Sequence, residues 1–454
     1  MQAFSDQGDY FYPYAFITDQ KKMLEDVPRM AAYHAAMMDN ADHFAGKAVL
    51  DCGTGTGILA VWAAQAGARV VYAVEATEMA KHARTLVDMN GLSAQIKVFQ
   101  GTIETVELPE KVDIIVSEWM GLLLLRDGML NSVIAARDKW LVSGGSMFPS
   151  HCEILLAPTV YQPAAAPSSA PVSHEQVMSE WQDLVAIVKD KYNVDYSCLN
   201  SALAYEKNTY YLQSAIEDIL AGGNSGDGSD LECDFEEFTD SDSDFGTEST
   251  ELATDNACST VLASKWTSLK KRSLCAEPVV IKEFDCHSVT TEELESFSCQ
   301  FVLELDRSDS EAKAEGVPAR NATPLEGSSE VSGCDTPTHK SATASQSNDV
   351  HPCNSLTCWF DVWFRGSTTS PATTPRVLST GPGVPATHWG QQTFMIPSAH
   401  AATLGKPWSI QGIFHVYQLQ KTHRMYNVRL QFSWAYEDQS EAFPDRQSIE
   451  YKIE

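Results

Sequence analysis

The stretch from Val49 to Leu59 constrains the fold most, because it joins a short apolar strand, an acid and three alternating glycines. After Gly57 the apolar residues recur with helical spacing. Glycine suits such a turn, since the backbone bends sharply and a ligand can lie against it with no Cβ in the way. The order strand, glycine turn, helix predicts a nucleotide-type binding unit in an α/β domain.

A second predicted strand, from Arg69 to Val74, ends at Glu75. This acid follows the glycines by roughly 20 residues, the distance at which an acid holds two ribose hydroxyls. A dinucleotide site prefers G-x-G-x-x-G, whereas the glycines here are spaced G-x-G-x-G and come directly after Asp51. That spacing suits an adenosine cofactor with no phosphate and a charged amino-acid end. It predicts S-adenosylmethionine, with Asp51 among the residues that bind it. A plain glycine turn is the alternative, and Glu75 argues against it.

The composition narrows the class of protein. A chain of 454 residues is long enough for two domains, and its net charge of −29 disfavours nucleic-acid binding through a basic face. Eleven cysteines, odd in number and irregularly spaced, indicate reduced thiols in a cytoplasmic or nuclear protein. Cys353 and Cys358 have no second Cys or His pair beside them, so we predict no metal site. The chain shows no signal segment and no apolar run of membrane-spanning length.

The first hundred residues offer further cofactor ligands. Aromatic residues crowd positions 9–16, where they either pack on their own domain or form a lid over the cofactor. A helix is predicted from Gln20 to Met38, and Arg29 lies near its apolar stripe, so that this cation needs an anionic partner such as the cofactor carboxylate. Glu104 follows the predicted strand Ile96–Phe99 and is placed to accept the adenine amino group, unless it is an ordinary exposed carboxylate.

Two acids follow the fourth predicted strand, Val112–Val116. Glu118 comes directly after it, beside a Trp and a Gly, and this position favours a functional carboxylate over a surface charge. Asp127 comes nine residues later. Two acids that return to one place could hold a planar guanidinium in two-point contact. Alternatively, Asp127 caps a helix that begins at Gly128, and taken alone this is the simpler interpretation.

Together these segments carry a family resemblance. Val49–Leu59, Ser117–Gly121 and Thr387–Gln392 resemble the cofactor motif, the acid-pair loop and the Thr-His-Trp loop of the protein arginine methyltransferases. The resemblance covers residues 9 to about 215, about 277–303 and about 356–435. It implies a Rossmann-like methyltransferase domain over residues 1–147, followed by an antiparallel β-barrel domain over residues 148–454.

The resemblance also implies roles for individual residues. Phe11 and Tyr14 would belong to the lid, Gln20 would stand where the family often has His, and Met23 and Met129 would line the methyl-transfer pocket. The cofactor would be held by Arg29 at its carboxylate, Gly53 and Gly55 at its methionine part, Glu75 at the ribose, and Ile103 with Glu104 at the adenine. Glu118 and Asp127 would hold the substrate guanidinium, and His388, paired with Asp26, would lie near the substrate.

Two positions depart from the family pattern. Asp127 replaces the usual Glu, and Leu122 replaces the usual Tyr. Asp is one methylene shorter than Glu, so its carboxylate could lie about 1 Å from the position that holds the guanidinium. Such a displacement could lower the rate roughly a hundredfold. The leading hypothesis remains an active enzyme that gives monomethylarginine and asymmetric dimethylarginine. The two departures suggest the alternative, a weakly active or inactive scaffold that binds the cofactor. A small-molecule methyltransferase is a third possibility, which the acid pair and the His388 loop disfavour.

Beyond residue 148 the pattern changes to β, with alternating runs at Cys152–Ala157, Cys358–Phe364 and Asn427–Phe432. Residues of about 173–215 have helical patterning; in the family this arm grips the partner in a head-to-tail homodimer, although its apolar residues could equally pack internally. Residues of about 216–275 and about 306–355 are poor in large apolar side chains and are predicted to be disordered insertions. The implied substrates are arginine-rich proteins, histone-like or rich in Arg-Gly.

Overall fold

The computed structural model describes residues 11–161, 173–209, 261–263, 265–267, 269, 273–305, 353–397, 407–420, 422–436 and 447–453. The first half of the chain forms a parallel sheet covered by helices. Its strands are β1 (Ala48–Cys52), β2 (Val70–Glu75), β3 (Ile96–Gln100), β4 (Val112–Val116) and β5 (Leu141–Phe148). Its helices span Ile17–Glu25, Val27–Met38, Ala41–Phe44, Ile58–Gln65, Met79–Met89 and Met129–Trp140.

The parallel sheet has the strand order β3-β2-β1-β4-β5. All five residues of β1 are buried, as expected for a central strand that helices cover on both faces. The helix Met79–Met89 buries Met79, Ala83, Leu86 and Val87 at helical spacing. The strand order reverses beside β1, where the chain returns to form β4. In open parallel sheets, ligands bind outside the carboxyl ends of the strands at such a reversal.

The predicted helix Gln20–Met38 is in fact two helices, so that prediction was wrong at its centre. The first ends at Glu25 and the second begins at Val27. Asp26 separates them and accepts a hydrogen bond from the Arg29 backbone N–H with its side chain. Pro28 lies in the first turn of the second helix, where its missing N–H costs nothing. The break places Asp26 and Arg29 side by side at a helix N-terminus.

The second half of the chain forms two sheets that are almost entirely antiparallel. The strands are β6 (His151–Thr159), β7 (Val261–Ala263), β8 (Lys265–Thr267), β9 (Val279–Asp285), β10 (Ser296–Glu304), β11 (Ser355–Gly366), β12 (Pro371–Ser379), β13 (Gln391–Met395), β14 (Ser409–Leu419), β15 (Thr422–Ala435) and β16 (Gln447–Lys452). One sheet has the order β10-β14-β15-β16-β7 and the other β8-β13-β11-β6-β9, with β12 paired to β11. Between β9 and β10 lies a short helix, Thr291–Glu295.

The structure corrects the predicted insertions in part. The strands β7 and β8 lie inside the segment of about 216–275 that we predicted to be disordered, and each pairs with a strand of a different sheet. Residues 273–275 are also ordered, and Ser355 is a buried residue of β11. Short strands of three residues carry too little alternation to be recognised in sequence. The remainder, residues 216–260, 264, 268, 270–272 and 306–352, lies outside the described residues.

The described part of the predicted arm, residues 173–209, is largely helical and packs on the parallel-sheet domain. A helix spans His174–Tyr192, with Ser173 as its N-cap, and residues 200–209 are also helical. Trp181 is fully buried and donates to the Asn200 side chain at 2.7 Å. Ile187 and Tyr205 instead face outward, 55% and 73% exposed. Among the described residues, no helix is both long and apolar enough to cross a bilayer.

Candidate active site

A cavity of about 230 Å³ opens at the carboxyl ends of β1, β2 and β4. It brings together twelve of the sequence-predicted site residues: Phe11, Tyr14, Gln20, Met23, Arg29, Gly53, Gly55, Glu75, Glu118, Asp127, Met129 and His388. Both acids of the predicted pair therefore face the same space. Four predicted residues do not line this cavity, namely Asp26, Asp51, Ile103 and Glu104.

The glycine turn forms one wall of the cavity. Gly53 and Gly55 both have positive φ angles, of 74° and 55°. A Cβ on Gly55 would lie 2.7 Å from the Gln20 side-chain oxygen, and a Cβ on Gly53 would collide with the Met129 side chain. The glycines are thus required both by the backbone conformation and by the side chains packed against them.

Glu75 stands at the end of β2 with its side chain held from both sides. One carboxylate oxygen accepts from the Gly55 N–H at 2.9 Å, and the other accepts from the backbone and hydroxyl of Thr77. A carboxylate has about four acceptor positions, so about one remains for a ligand beside these three bonds. The neighbouring glycine turn and this fixed acid form the polar side of the cavity.

Asp51 lies behind the glycine turn instead of on the cavity wall. Its side chain is fully buried and accepts from the Thr54 hydroxyl at 2.5 Å. Burial raises the pKa of Asp51 to about 7. Its second carboxylate oxygen has no hydrogen-bond partner among the described residues. Asp51 therefore shapes the turn from beneath and does not line the cavity, whereas we predicted it to bind the cofactor.

The lid residues close the cavity from the N-terminal side. Phe11 and Tyr14 line it, and Gln20 donates its side-chain amide to the Tyr14 carbonyl at 3.0 Å. Residues from the predicted arm brace this region: Glu206 accepts from the Ile17 and Thr18 backbone N–H groups at the start of the helix Ile17–Glu25. A carboxylate at a helix N-terminus satisfies free N–H groups and opposes the helix dipole favourably.

Arg29 and Glu118 form a buried ion pair in the cavity wall. The Arg29 Nε and Nη2 atoms both donate to one Glu118 oxygen, at 3.1 and 2.9 Å, and the side chains are only 8% and 10% exposed. The other Glu118 oxygen accepts from the Met120 backbone N–H. We predicted that Arg29 would hold the cofactor carboxylate, and this stays a prediction; in this structure Arg29 fixes the first acid.

Asp127 belongs to a tight loop that the sequence did not predict in detail. Leu123, Leu124 and Asp127 are non-glycine residues with positive φ angles, of 50°, 69° and 83°. The helix Met129–Trp140 is capped by Gly128 in the left-handed conformation, with no side-chain cap bond. The alternative that Asp127 caps this helix was therefore wrong. Burial raises the pKa of Asp127, the positive charges of Arg126 and Arg424 oppose this, and Glu118 adds to it.

His388 reaches the cavity from the antiparallel domain and is held by Asp26. One Asp26 oxygen pairs with the His388 Nδ1 at 2.6 Å and accepts its backbone N–H at 2.8 Å. Burial by itself would raise the pKa of Asp26, but the hydrogen bonds from His388 and Arg29 outweigh it and the pKa is lowered. The next residue, Trp389, donates to the Met120 carbonyl at 2.8 Å. The Thr-His-Trp loop thus touches both the acid loop and the lid helices.

A smaller adjacent cavity holds the two remaining predicted residues. Ile103 and Glu104 line it together with Phe11, Met129 and Arg424. Glu104 is exposed and accepts from the Ser132 hydroxyl at 2.7 Å. Sequence reasoning missed Arg424, because nothing in its own strand marks it as part of a site 297 positions from Asp127. Only the antiparallel pairing of β14 with β15 brings it there.

The residues present fit a sulfonium nucleoside. The glycine turn leaves room that a Cβ would fill, Glu75 offers a fixed carboxylate, and two aromatic side chains cover the cavity. Residues 35–136 match the family described as ribosomal protein L11 methyltransferase, and residues 250–439 match the arginine methyltransferase oligomerization subdomain.

Curated relatives extend the likeness to most of the chain. The chain is 34% identical to protein arginine N-methyltransferase PRMT10 of Oryza sativa subsp. japonica over 428 residues, which is 94% of this chain and 88% of that protein. It is also 34% identical to the PRMT10 of Arabidopsis thaliana over 86% of this chain and 78% of that protein. The chain belongs to the protein arginine N-methyltransferases.

Solved structures of the family agree with the fold. The open-conformation crystal structure of Arabidopsis thaliana protein arginine methyltransferase 10 superposes with a TM-score of 0.63 at 29% identity, covering 98% of this chain and all of that one. The Trypanosoma brucei PRMT1 enzyme-prozyme complex with AdoHcy matches in fold at 22% identity and a TM-score of 0.60, covering 97% of this chain and 99% of that one. The predicted Rossmann-like domain and antiparallel domain are thus confirmed.

As a protein arginine N-methyltransferase, the enzyme uses S-adenosylmethionine as methyl donor and acts on arginine in proteins. The predicted family, activity and cofactor are confirmed by these relatives. The roles of the individual site residues stay predictions, and twelve of these residues line one cavity.

Proposed function

We propose that this arginine methyltransferase is catalytically active and forms monomethyl and then asymmetric dimethylarginine. The observation that carries this proposal is that Glu118 and Asp127 face one cavity, beside the glycine turn and Glu75. A scaffold that only bound the cofactor would not need two buried acids and a fixed histidine in that cavity. Met23 and Met129 line it as well and leave it apolar where a methylated nitrogen would have to turn.

The chain's own residues explain how an unreactive guanidinium could be used. Its lone pair is delocalised and the group is cationic, so it is a poor nucleophile. Two carboxylates would fix its plane and draw positive charge toward the nitrogens that they bind, leaving the third nitrogen more reactive. S-adenosylmethionine supplies the electrophilic methyl group when bound. Glu75, the glycine turn and Arg29 would hold it, and the lid would exclude water.

Glu118 is the stronger of the two acids in this proposal. Its second oxygen is bound to the Met120 N–H and to no cation among the described residues, so it faces the cavity as an acceptor fixed in place. Asp127 has a shorter side chain, but its loop, with a positive φ at Asp127 itself, turns that side chain into the same cavity. The position of Asp127 in the cavity wall supports a role for this acid despite its shorter side chain.

We further propose arginine-rich substrates, a head-to-tail homodimer and a cytoplasmic or nuclear location. The net charge of −29 supports attraction of basic proteins, of the histone-like or Arg-Gly-rich kind. The outward-facing Ile187 and Tyr205 on the arm support a contact with a second subunit, and one solved relative is described as a heterotetrameric complex. The described cysteines are all free thiols, which supports a reducing compartment.

The test is a transfer assay with labelled S-adenosylmethionine and an Arg-Gly-rich peptide, followed by separation of the methylated arginines. Glu118→Gln should lose about a thousandfold in rate while still binding S-adenosylhomocysteine. Glu110→Gln is the matched control, because Glu110 also pairs with an arginine, Arg69, but on an exposed face away from the cavity. Cofactor binding without labelling of the peptide would support the scaffold, and symmetric dimethylarginine would refute the proposed product.

A further inference from the structure

Arg424 holds the second acid from the other domain. The Asp127 backbone N–H donates to the Arg424 carbonyl at 2.8 Å, and the Arg424 Nη1 donates to the Asp127 carbonyl. Each residue thus binds the main chain of the other. The two sit 297 positions apart, one in the loop after β4 and the other near the start of β15.

The loop around Asp127 needs such an external contact. Its own hydrogen bonds, such as Gly121 N–H to the Leu124 carbonyl and Gly128 N–H to the Leu125 carbonyl, fix its internal shape but not its position in the cavity. Three of its non-glycine residues have positive φ angles. Such conformations persist only where the surroundings over-determine them. Trp389 secures the start of the loop at Met120, and Arg424 secures its end.

The same arginine also touches the lid. Its guanidinium carbon lies 5.5 Å from the centre of the Phe11 ring, within the range of a cation–π contact. Arg424 and Phe11 both line the smaller cavity beside Ile103 and Glu104. One cationic side chain therefore contacts an element placed to cover the methyl donor and an element placed to hold the substrate.

We propose that Arg424 is a positioning residue that fixes the Asp127 carboxylate toward the substrate guanidinium and couples this loop to the lid. This inference rests on the proposed function, since it assigns a task to one of the two acids of that site. Arg424 acts through Asp127 and Phe11 and does not itself take part in methyl transfer.

Charge gives the proposal a second readout. The charged groups that face Asp127 are Arg126 on its own loop, Arg424 on the hairpin of β14 and β15, and Glu118 after β4. Burial raises the pKa of Asp127, and the charge of Arg424 opposes that rise. Removing this charge lets the pKa rise further. Since only the ionised carboxylate holds a guanidinium, the acidic limb of the pH-rate profile should move to higher pH.

The experiment compares Arg424→Met, Arg424→Gln and Arg424→Lys with the control Arg429→Met. Arg429 lies on the same strand and pairs with neighbours in its own sheet, Glu450 and the Tyr417 ring, outside both cavities. Arg424→Met should lower kcat/KM for the peptide by about tenfold to a hundredfold and shift the acidic limb upward. Arg424→Lys should restore the wild-type position of the acidic limb. Arg424→Gln should keep a higher rate than Arg424→Met without restoring that position, and Arg429→Met should match the wild type.

Amide hydrogen exchange gives a readout that needs no activity. In Arg424→Met, exchange should quicken at residues 121–128 and in the lid, and not in Arg429→Met. Equal exchange and equal kinetics in the two variants would overturn the inference. So would a loss of rate that is uniform across pH and that Lys does not reverse, since this is what a merely structural residue would show. A wild-type enzyme that labels no peptide would refute the proposed function. Amide hydrogen exchange would then still show whether Arg424 couples the loop around Asp127 to the lid.

Discussion

The glycine turn and the acid loop line the same cavity but are held in opposite ways. The backbone of the glycine turn bonds to near neighbours in sequence: Gly53 and Thr54 donate to the Val74 carbonyl, and Gly55 donates to Glu75, 20 positions away. The Thr56 hydroxyl reaches farther and bonds to the Tyr196 hydroxyl, 140 positions away. The acid loop is held by distant residues. Its partners Arg29, Tyr33, Trp389 and Arg424 are separated from it by 89, 84, 269 and 297 positions.

This difference separates two functions. The turn belongs to one strand–turn–helix–strand unit and keeps its shape as long as that unit folds. The acid loop takes its final position only when the lid helices and the antiparallel domain are both in place. Cofactor binding should therefore survive changes that abolish methyl transfer, whereas methyl transfer should respond to changes in either domain. Substitutions on each side test this division, and the largest effect is expected at the residue that belongs to both sides.

Arg29→Met should have the largest effect, because Arg29 lines the cofactor cavity and also holds Glu118. The substitution leaves Glu118 as a buried acid without its cation, which should cost about 3 to 5 kcal/mol of stability. Thermal unfolding and transfer kinetics would measure both losses. The control is Arg376→Met, whose partner Asp39 forms a largely exposed pair with it, so that a change of about 0 to 1 kcal/mol is expected. Similar losses of stability and of transfer rate in the two variants would contradict the assignment of Arg29 to both the cofactor cavity and Glu118.

Gly55→Ala should weaken cofactor binding and leave the acid loop in place. The new Cβ would lie 2.7 Å from the Gln20 oxygen, at a position with a φ of 55°. We expect the Kd for S-adenosylhomocysteine, measured by calorimetry, to weaken by about tenfold or more. Gly91→Ala is the matched control, since its φ is 70° and an added Cβ would meet nothing within 4 Å. If Gly91→Ala weakens binding equally, general strain and not the local contact is responsible.

Asp26→Asn should act on the substrate side by freeing His388. We expect kcat/KM for the peptide to fall about tenfold with little change in cofactor affinity. Because the pKa of Asp26 is lowered in the folded state, its contribution to stability is present above the unfolded value of about 3.9 and is lost as the pH falls through the folded value. The gap in Tm between the wild type and Asp26→Asn should therefore close below roughly pH 4. A gap that persists there would refute the role of the charge.

Glu206→Gln should have the smallest effect, since it weakens a helix cap without removing any residue from the cavity. The loss of charge at the start of the helix Ile17–Glu25 should cost about 0.5 to 1 kcal/mol and raise the KM for S-adenosylmethionine about threefold. Glu175→Gln, an exposed acid in the first turn of the arm's own helix, serves as the control. An unchanged KM in Glu206→Gln would show that the arm does not brace the lid.

Much of the cofactor side could be predicted from local sequence. The strands β1, β2 and β4, the glycines and Glu75 were all placed correctly, because each rests on apolar periodicity or on a backbone conformation that few residues adopt. The predictions failed where a local pattern has two meanings. The pattern of Gln20–Met38 continued across Asp26, and only Pro28 marked the break. Asp127 before a helix looked like a cap, but Gly128 takes that place.

The sequence by itself determined the strand, glycine turn and acid that define the methyl-donor side, since their contacts lie within a short length of chain and depend on residue type. Tertiary structure alone decided that Asp127 turns into the cavity, that Arg29 pairs with Glu118, and that Arg424 arrives from the far end of the chain. The physical reason is that these contacts join segments whose separation in sequence carries no local signal. They form only once burial of both domains' cores has brought those segments together.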